Sequence, residues 1–219
     1  MKRRFPLRFL LIALPALTWS CYPEGPEYTE DLDVVYTTYD QAYNFQAPGN
    51  GDATFTYAMP DKIVVDAEKD ISGDWQPEYM PQTFADPILA QIATNMAALG
   101  WTKLPNIAGS PDPNADVVLT PAAIKSTTYF YTYWYDWWYG GYWGGWGGWY
   151  YPPYYSVSSF TTGSMVMVIA DPHVTSPINQ SQASWLAVGN GLFTGYYDIN
   201  RVKKAIDQSF AQSPYLKHN

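Results

Sequence analysis

The chain has 219 residues, enough for one domain with a large core, and its 12 basic and 20 acidic residues give a formal net charge of −8. An acidic balance of this size argues against nucleic-acid binding, and a single cysteine excludes an internal disulfide and a cysteine-based zinc site. Aromatic residues make up 18% of the chain, with 20 Tyr and 10 Trp, which is not the composition of a disordered protein.

The first 20 residues have the three-part layout of an export signal. Four basic residues come first, and an apolar run from Phe9 to Leu17 follows. This run is shorter than the ~20 residues that a membrane-spanning helix needs, and Pro15 interrupts it. The pattern predicts a signal peptide over residues 1–20 that is removed on export.

Cys21, the only cysteine, directly follows Ser20 at the expected cleavage site. This arrangement resembles a bacterial lipoprotein signal, which implies a lipidated Cys21 and a location in the cell envelope, at the outer membrane. Residues 21–30 contain two Pro, one Gly and three Glu and are expected to form a flexible tether. Cleavage leaves 8 basic and 20 acidic residues, so anionic headgroups would repel the mature chain and the acyl chains must supply the membrane contact.

Six segments rich in β-branched and aromatic residues are predicted as strands, and residues 67–81 and 108–114 as loops. The predicted strands are Asp33–Tyr39, Thr54–Ala58, Ile63–Val65, Ala115–Thr120 with a continuation from Ile124 through Trp134, Gly163–Ala170 ended by Asp171-Pro172, and Ser184–Val188.

Two helices are predicted from their caps and apolar stripes. Asp86 is the expected N-cap of the first helix, with Pro87 at its first position and Gly100 after its end. Asp198 is the expected N-cap of the second. The element order predicts a single α+β domain over residues 31–219, with a mostly antiparallel sheet of about six strands and both helices on one face. The predicted core residues are Ile92, Met96, Val166, Val168, Trp185, Val202, Ile206 and Phe210, and the side chains expected on a solvated helix face are Arg201, Lys203 and Lys204.

Residues 129–155, here called the aromatic segment, hold 17 aromatic side chains in 27 positions, together with six Gly and the pair Pro152-Pro153. Because the segment lies between two predicted strands, it is expected to form a long hairpin insertion. Four interpretations are open: rings folded back over the sheet, a surface for self-association or an envelope protein partner, insertion among lipid headgroups, and stacking on glycan rings. We expect a partly exposed contact surface outside the core. The residues assigned to this surface are Trp137, Trp138, Tyr139, Tyr142, Trp143, Trp146, Trp149, Tyr150 and Tyr151.

No catalytic motif stands out. The two histidines, His173 and His218, are far apart, and His218 lies one residue from the C-terminus, where chains are commonly mobile. No G-x-S-x-G elbow or phosphate loop occurs, and the acidic residues at 66–74 fail the calcium-loop spacing. The sequence therefore predicts no catalytic residue, metal site or cofactor. The expected function is a non-enzymatic binding or assembly module; the alternative is an envelope glycan-binding protein or a glycan hydrolase that uses carboxylates.

Several stretches, taken in order, resemble a bacterial lipoprotein family that carries the domain of unknown function 4136. They are the lipoprotein start, Asp31–Asp40, Ala98–Trp101, Ala115–Thr120, the strand ending in Asp171, Trp185 and Ala205–Leu216. The aromatic, glycine-rich insertion is similar to that of Bacteroidetes-type members. The resemblance implies an α+β fold and an envelope location, and it supplies no catalytic residues.

Overall fold

The computed structural model describes residues 35–49, 53–69, 71–72, 75–124, 149–150, 163–175, 181–193 and 197–218. These residues form nine strands, two α-helices and a final 3-10 helix, Pro214–Leu216. The strands are β1 (Val35–Tyr39), β2 (Thr56–Ala58), β3 (Val64–Lys69), β4 (Trp75–Tyr79), β5 (Thr102–Lys103), β6 (Val117–Ile124), β7 (Trp149–Tyr150), β8 (Ser164–Thr175) and β9 (Ser181–Gly189). The helices are α1 (Gln82–Ala98) and α2 (Ile199–Ala211).

All nine described strands belong to one sheet with the central order β1-β9-β8-β6-β2-β5. β3 pairs with β6 and β4, and β7 pairs with β9. The pairs β1–β9, β9–β8, β8–β6 and β3–β4 are antiparallel. The pairs β2–β5, β2–β6, β3–β6 and β7–β9 are parallel. The expected sheet of about six mostly antiparallel strands is therefore corrected to a larger mixed sheet, because strands of two or three residues show no detectable periodicity.

The two faces of the sheet carry separate apolar clusters. Both helices pack on one face, where Leu119, Met167 and Trp185 meet Ile92 and Ile206. The opposite face carries the alternate residues of the same strands, such as Val118, Val166 and Val188. Neither helix contributes a buried residue to this second cluster, although Val166 and Val188 are at most 1% exposed. The placement of both helices on one face agrees with the prediction.

All eight predicted core residues are buried, with exposures between 0% and 4%. The predicted central strand is β8, and its predicted neighbour is β9. β8 nevertheless continues past Asp171-Pro172 to Thr175, so the predicted end at that dipeptide is wrong. A register shift between Ala170 and Thr175 lets the strand absorb Pro172, which cannot donate to the ladder. β6 begins at Val117 and is one strand through Ile124, and residues 125–134 of the predicted continuation lie outside the described residues.

The region predicted as a loop over residues 67–81 instead contains the antiparallel hairpin β3–β4. Acidic residues and Pro77 are not typical of strands, so the sequence predicts no strand in this region. Pro77 is tolerated because β3 is the one strand among the described residues that pairs with β4, and the other edge of β4 needs no N–H donor toward any of them.

Helix α1 begins at Gln82, four residues before the predicted N-cap. Backbone N–H groups of Phe84 and Ala85 donate to the Pro81 carbonyl, at 2.9 and 3.1 Å, and close the first turn. Asp86 accepts a hydrogen bond from Gln82 Nε2 at 2.6 Å and does not cap the helix, and Pro87 lies inside it. Burial of Ala85 explains the early start, because this first turn already packs into the core.

The end of α1 and the start of α2 follow the predicted signals. Gly100, with φ +94°, ends α1 in the left-handed region. Asp198 caps α2 by accepting a hydrogen bond from the Asn200 N–H at 2.8 Å. Of the side chains expected on the solvated face, Arg201 is only 7% exposed, and its guanidinium donates to the Gly191 carbonyl at 3.1 Å. That assignment is wrong for Arg201 because its hydrogen-bond acceptor lies in a loop that helical periodicity does not report.

His218 is held at the end of the chain, contrary to the mobile terminus that was expected. Its ring stacks on Phe55 with centroids 3.9 Å apart and meets Trp101 edge-on. Gly100 lies directly against the imidazole, and a Cβ at that position would clash with it. The Trp101 indole N–H also donates to the Leu216 carbonyl at 2.8 Å, so the last residues are fastened to the start of β5.

Candidate functional site

Most of the predicted site residues lie outside the described residues. These include Cys21, the signal peptide over 1–20, the tether over 21–30, and seven of the nine residues assigned to the aromatic surface. Of the aromatic segment, the structure describes the backbone of Trp149 and Tyr150, which form β7. β7 runs parallel to Ser181 and Gln182 at the start of β9. The aromatic segment therefore contacts the sheet at this point.

β7 and β1 lie along the same side of β9, since β8 occupies the other side. β1 pairs with β9 from Val35 opposite Gly189 to Tyr39 opposite Trp185, and the Asp40 N–H donates to the Ser184 carbonyl at 2.9 Å. At the other end of β9, β7 pairs with Ser181 and Gln182. The strand nearest the N-terminus and the aromatic strand consequently share one edge of the sheet.

Four aromatic rings, here called the edge cluster, support the end of β1. Tyr39 stacks on Tyr215 with centroids 3.8 Å apart, and Phe45 packs edge-on against Tyr43 at 4.7 Å. Tyr39 is 37% exposed, and Tyr36 on the same strand is 42% exposed. Exposed tyrosines are common in protein contact surfaces because a large rigid ring carries one polar group.

The carboxylate of Asp171 lies next to the edge cluster and is fully inaccessible to solvent. Its Oδ2 accepts hydrogen bonds from the Tyr43 hydroxyl at 2.7 Å and the Gly49 N–H at 2.9 Å. Its Oδ1 accepts from the His173 N–H at 2.8 Å. Burial and the negative charge of Asp171 raise the pKa of Tyr43 far above its usual value. The hydrogen bonds of Asp171 thus hold the loop after β1 against β8.

A second buried carboxylate, Asp116, stands just before β6 and is 6% exposed. Its Oδ2 accepts four hydrogen bonds, from the backbone N–H and hydroxyl groups of Thr54 and Thr56, at 2.7 to 3.2 Å. A Cβ at Gly49, whose φ is +62°, would lie 3.0 Å from Asp116 Oδ1. Gly49 therefore allows the loop to approach both carboxylates closely.

The hydrogen bonds of Asp116 and Asp171 define what these groups can do. Both carboxylates accept charge-assisted hydrogen bonds from the protein itself, and His173 Nε2 lies 3.1 Å from the Ala115 carbonyl oxygen. This arrangement suits positioning of loops rather than proton transfer to a substrate. Within the described ranges, no three His, Cys, Asp or Glu side chains gather as a metal site, and no helix is long and apolar enough to cross a bilayer.

Sequence reasoning missed this carboxylate cluster. Asp116 sits within the predicted strand Ala115–Thr120, and Asp171 was assigned to a strand end. A charged residue directly beside a strongly apolar run is a weak signal for a buried, hydrogen-bonded carboxylate. Nothing in the sequence links Asp171 to Tyr43, which is 128 positions away.

The raised pKa of Tyr43 predicts a specific loss of stability in alkali. Above the ordinary tyrosine pKa of about 10, the unfolded chain releases the Tyr43 proton while the folded chain retains it. The folded state then binds more protons, so the free energy of unfolding falls by up to about 1.4 kcal/mol per pH unit on account of Tyr43. Below this pH range, the hydrogen bond from Tyr43 to Asp171 contributes fully to the free energy of unfolding.

Urea denaturation of the parent and Tyr43→Phe between about pH 9 and 11 measures this contribution. The difference in free energy between the two proteins should shrink as the pH rises, because other ionising groups cancel in the comparison. A constant difference over the whole range would contradict the buried, neutral Tyr43.

The described residues form a mixed α/β fold in which both helices cover one face of an open sheet and the aromatic strand β7 lies at its edge. The family model described as Domain of unknown function (DUF4136) matches residues 35–215. The chain belongs to this family, which confirms the resemblance to the domain of unknown function 4136.

A solved structure supports the same assignment. The crystal structure of a DUF4136 family protein from Bacteroides thetaiotaomicron matches with a TM-score of 0.64 and 33% sequence identity. The match covers 85% of this chain and 98% of that chain. No curated protein matches the sequence.

Proposed function

We propose that the protein is a lipid-anchored protein of the cell envelope and works as a non-enzymatic binding or assembly module. The aromatic segment is its contact surface, and the acyl chains on Cys21 are its membrane contact. The observation that carries the proposal is the position of β7, because Trp149 and Tyr150 extend the same sheet edge as β1. The strand that follows the proposed tether and the proposed contact surface are thereby neighbours.

The length of chain before β1 sets the distance from the membrane. Thirteen residues lie between Cys21 and Val35, so the chain from one to the other can span at most about 50 Å when fully extended. A tether of this reach keeps the β1–β7 edge near the bilayer and leaves the domain free to turn toward a partner. The occupant we favour is an envelope protein or a second copy of the chain, since Tyr and Trp dominate the energetics of such contacts.

The second candidate is binding of an envelope glycan. Exposed tyrosine rings at the sheet edge, such as Tyr36 and Tyr39, could stack on sugar rings, and the aromatic segment offers many more. The hydrogen bonding of Asp116 and Asp171 favours binding over hydrolysis, because a glycosidase needs a pair of carboxylates that reach the substrate.

Replacement of Cys21 tests the anchor. Cys21→Ser removes the only thiol that can be acylated, so the protein should move from the membrane pellet to the soluble fraction. Fractionation of cells followed by a carbonate wash measures the change, and Ser20→Ala serves as a control that keeps a small residue before Cys21. Retention of Cys21→Ser in the washed membranes would overturn the lipid anchor.

A further inference from the structure

A cavity of about 440 Å³ opens beside β6. Strands β8 and β9 lie between β6 and the aromatic strand β7. The volume of the cavity falls within the range of about 300–1,000 Å³ that is typical of small-molecule sites. It lies on the side of β6 away from β8, where the described residues leave a gap: Val118 pairs with β2, Ala122 pairs with β3, and residues 59–63 leave the sheet between them. Pro121, which has no N–H to offer to a neighbouring strand, lines this gap.

Thr120 places an unused polar group in the wall of the cavity. The residue is 1% exposed, and its Oγ1 has no hydrogen-bond partner in the part of the chain that the structure describes. A buried hydroxyl without a partner costs about 1–3 kcal/mol, and most buried polar atoms in proteins avoid that cost. A ligand hydroxyl or carbonyl in the cavity would supply the missing hydrogen bond.

The cavity lining includes two charged side chains, Lys62 and Asp61. Lys62 Nζ lies 4.8 Å from the centre of the Tyr79 ring, and within the described part of the chain it has no carboxylate partner. The neighbouring Asp61 pairs instead with Lys103 at 3.3 Å. The lysine is therefore available to an anion, and the Tyr79 ring restricts its position.

The wall opposite β6 is a tight turn with strained backbone. Ile107 and Ser110 exchange two backbone hydrogen bonds, at 2.8 and 3.0 Å, around Ala108 and Gly109. Ala108 has φ +51°, a conformation that is uncommon for a residue with a Cβ. Strain of this kind is often found where a loop clamps a ligand, and here it brings Ser110 to the cavity.

We propose that this cavity binds a small carboxylate that bears several hydroxyl groups, of the sugar-acid class. Lys62 pairs with the carboxylate, Thr120 and Ser110 hydrogen-bond the hydroxyls, and Val64 and Pro121 contact the apolar face of the ring. None of the lining residues named here belongs to the aromatic segment, so the site can fail while the proposed contact surface stands, and the reverse also holds.

Calorimetric titration of the full mature chain tests the ligand class, with glucuronate, glucose and acetate as probes. Glucuronate should bind at least tenfold more tightly than glucose, which lacks the charge, and than acetate, which lacks the hydroxyls. Failure of glucuronate to bind at millimolar concentration would overturn the proposal. Equal binding of all three probes, or tighter binding of glucose or acetate, would also overturn it.

Two substitutions separate the roles of the lining groups. Lys62→Gln should weaken glucuronate about tenfold, whereas Lys203→Gln on α2, the control, should leave binding unchanged. Thr120→Val should also weaken glucuronate about tenfold while keeping or raising the melting temperature, because it removes an unpartnered hydroxyl at constant shape. Glucuronate binding that is unaffected by both changes would overturn the assigned site.

Discussion

Trp185→Ala is expected to lower the free energy of unfolding by about 3–5 kcal/mol. Trp185 is 1% exposed, stacks on Phe210 with centroids 5.4 Å apart, and joins β9 to α2. Its removal leaves a large cavity between the sheet and the helix, and the remaining core can close only part of it. Urea denaturation followed by circular dichroism measures the loss.

Trp185→Phe is the matched control. It keeps a ring against Phe210 but removes the indole N–H, which donates to Ser213 Oγ at 2.8 Å. Ser213 Oγ also donates to the Ser209 carbonyl and accepts from the Tyr215 hydroxyl, so only part of this network is lost. A much smaller loss than for alanine is expected, and equal losses would contradict the role of ring packing.

Deletion of residues 140–148 is expected to abolish the proposed association or glycan retention and to leave the domain folded. The deletion removes glycine pairs and three aromatic residues but keeps Trp149 and Tyr150, which pair with β9. Light scattering measures the size of the parent and the variant, and retention on immobilised peptidoglycan measures glycan contact. Loss of either property with a melting temperature close to the parent supports a contact surface.

The opposite outcome would show that the aromatic segment covers the second face of the sheet. The second face of the sheet is buried, and neither helix lies on it. A segment that covers this face would, on deletion, uncover apolar surface at a cost of several kcal/mol, about 25 cal/mol per Å². A large fall in melting temperature with unchanged association would overturn the contact surface and assign the segment to the core. Substitution of Ile71, an exposed side chain elsewhere, by Ser controls for loss of exposed apolar surface alone.

The elements that the sequence predicts correctly are those whose signals are local. Helix α2 follows from Asp198 and a four-residue apolar spacing, and β8 and β9 follow from apolar runs that bury both faces. The end of α1 at Gly100 follows from one residue that tolerates a positive φ. These predictions succeed because neighbouring residues carry both the signal and its energetic consequence.

Features that depend on residues far apart in the chain become visible only in the folded structure. The two-residue strand β5 exists because β2 lies beside it, and Arg201 is buried because the Gly191 carbonyl accepts a hydrogen bond from its guanidinium. Asp171 holds the loop after β1 in place because Tyr43 and Gly49, more than 120 positions away in the chain, donate hydrogen bonds to it. Burial of a charge is favourable only when distant donors converge on it, and no local pattern of residues encodes that convergence.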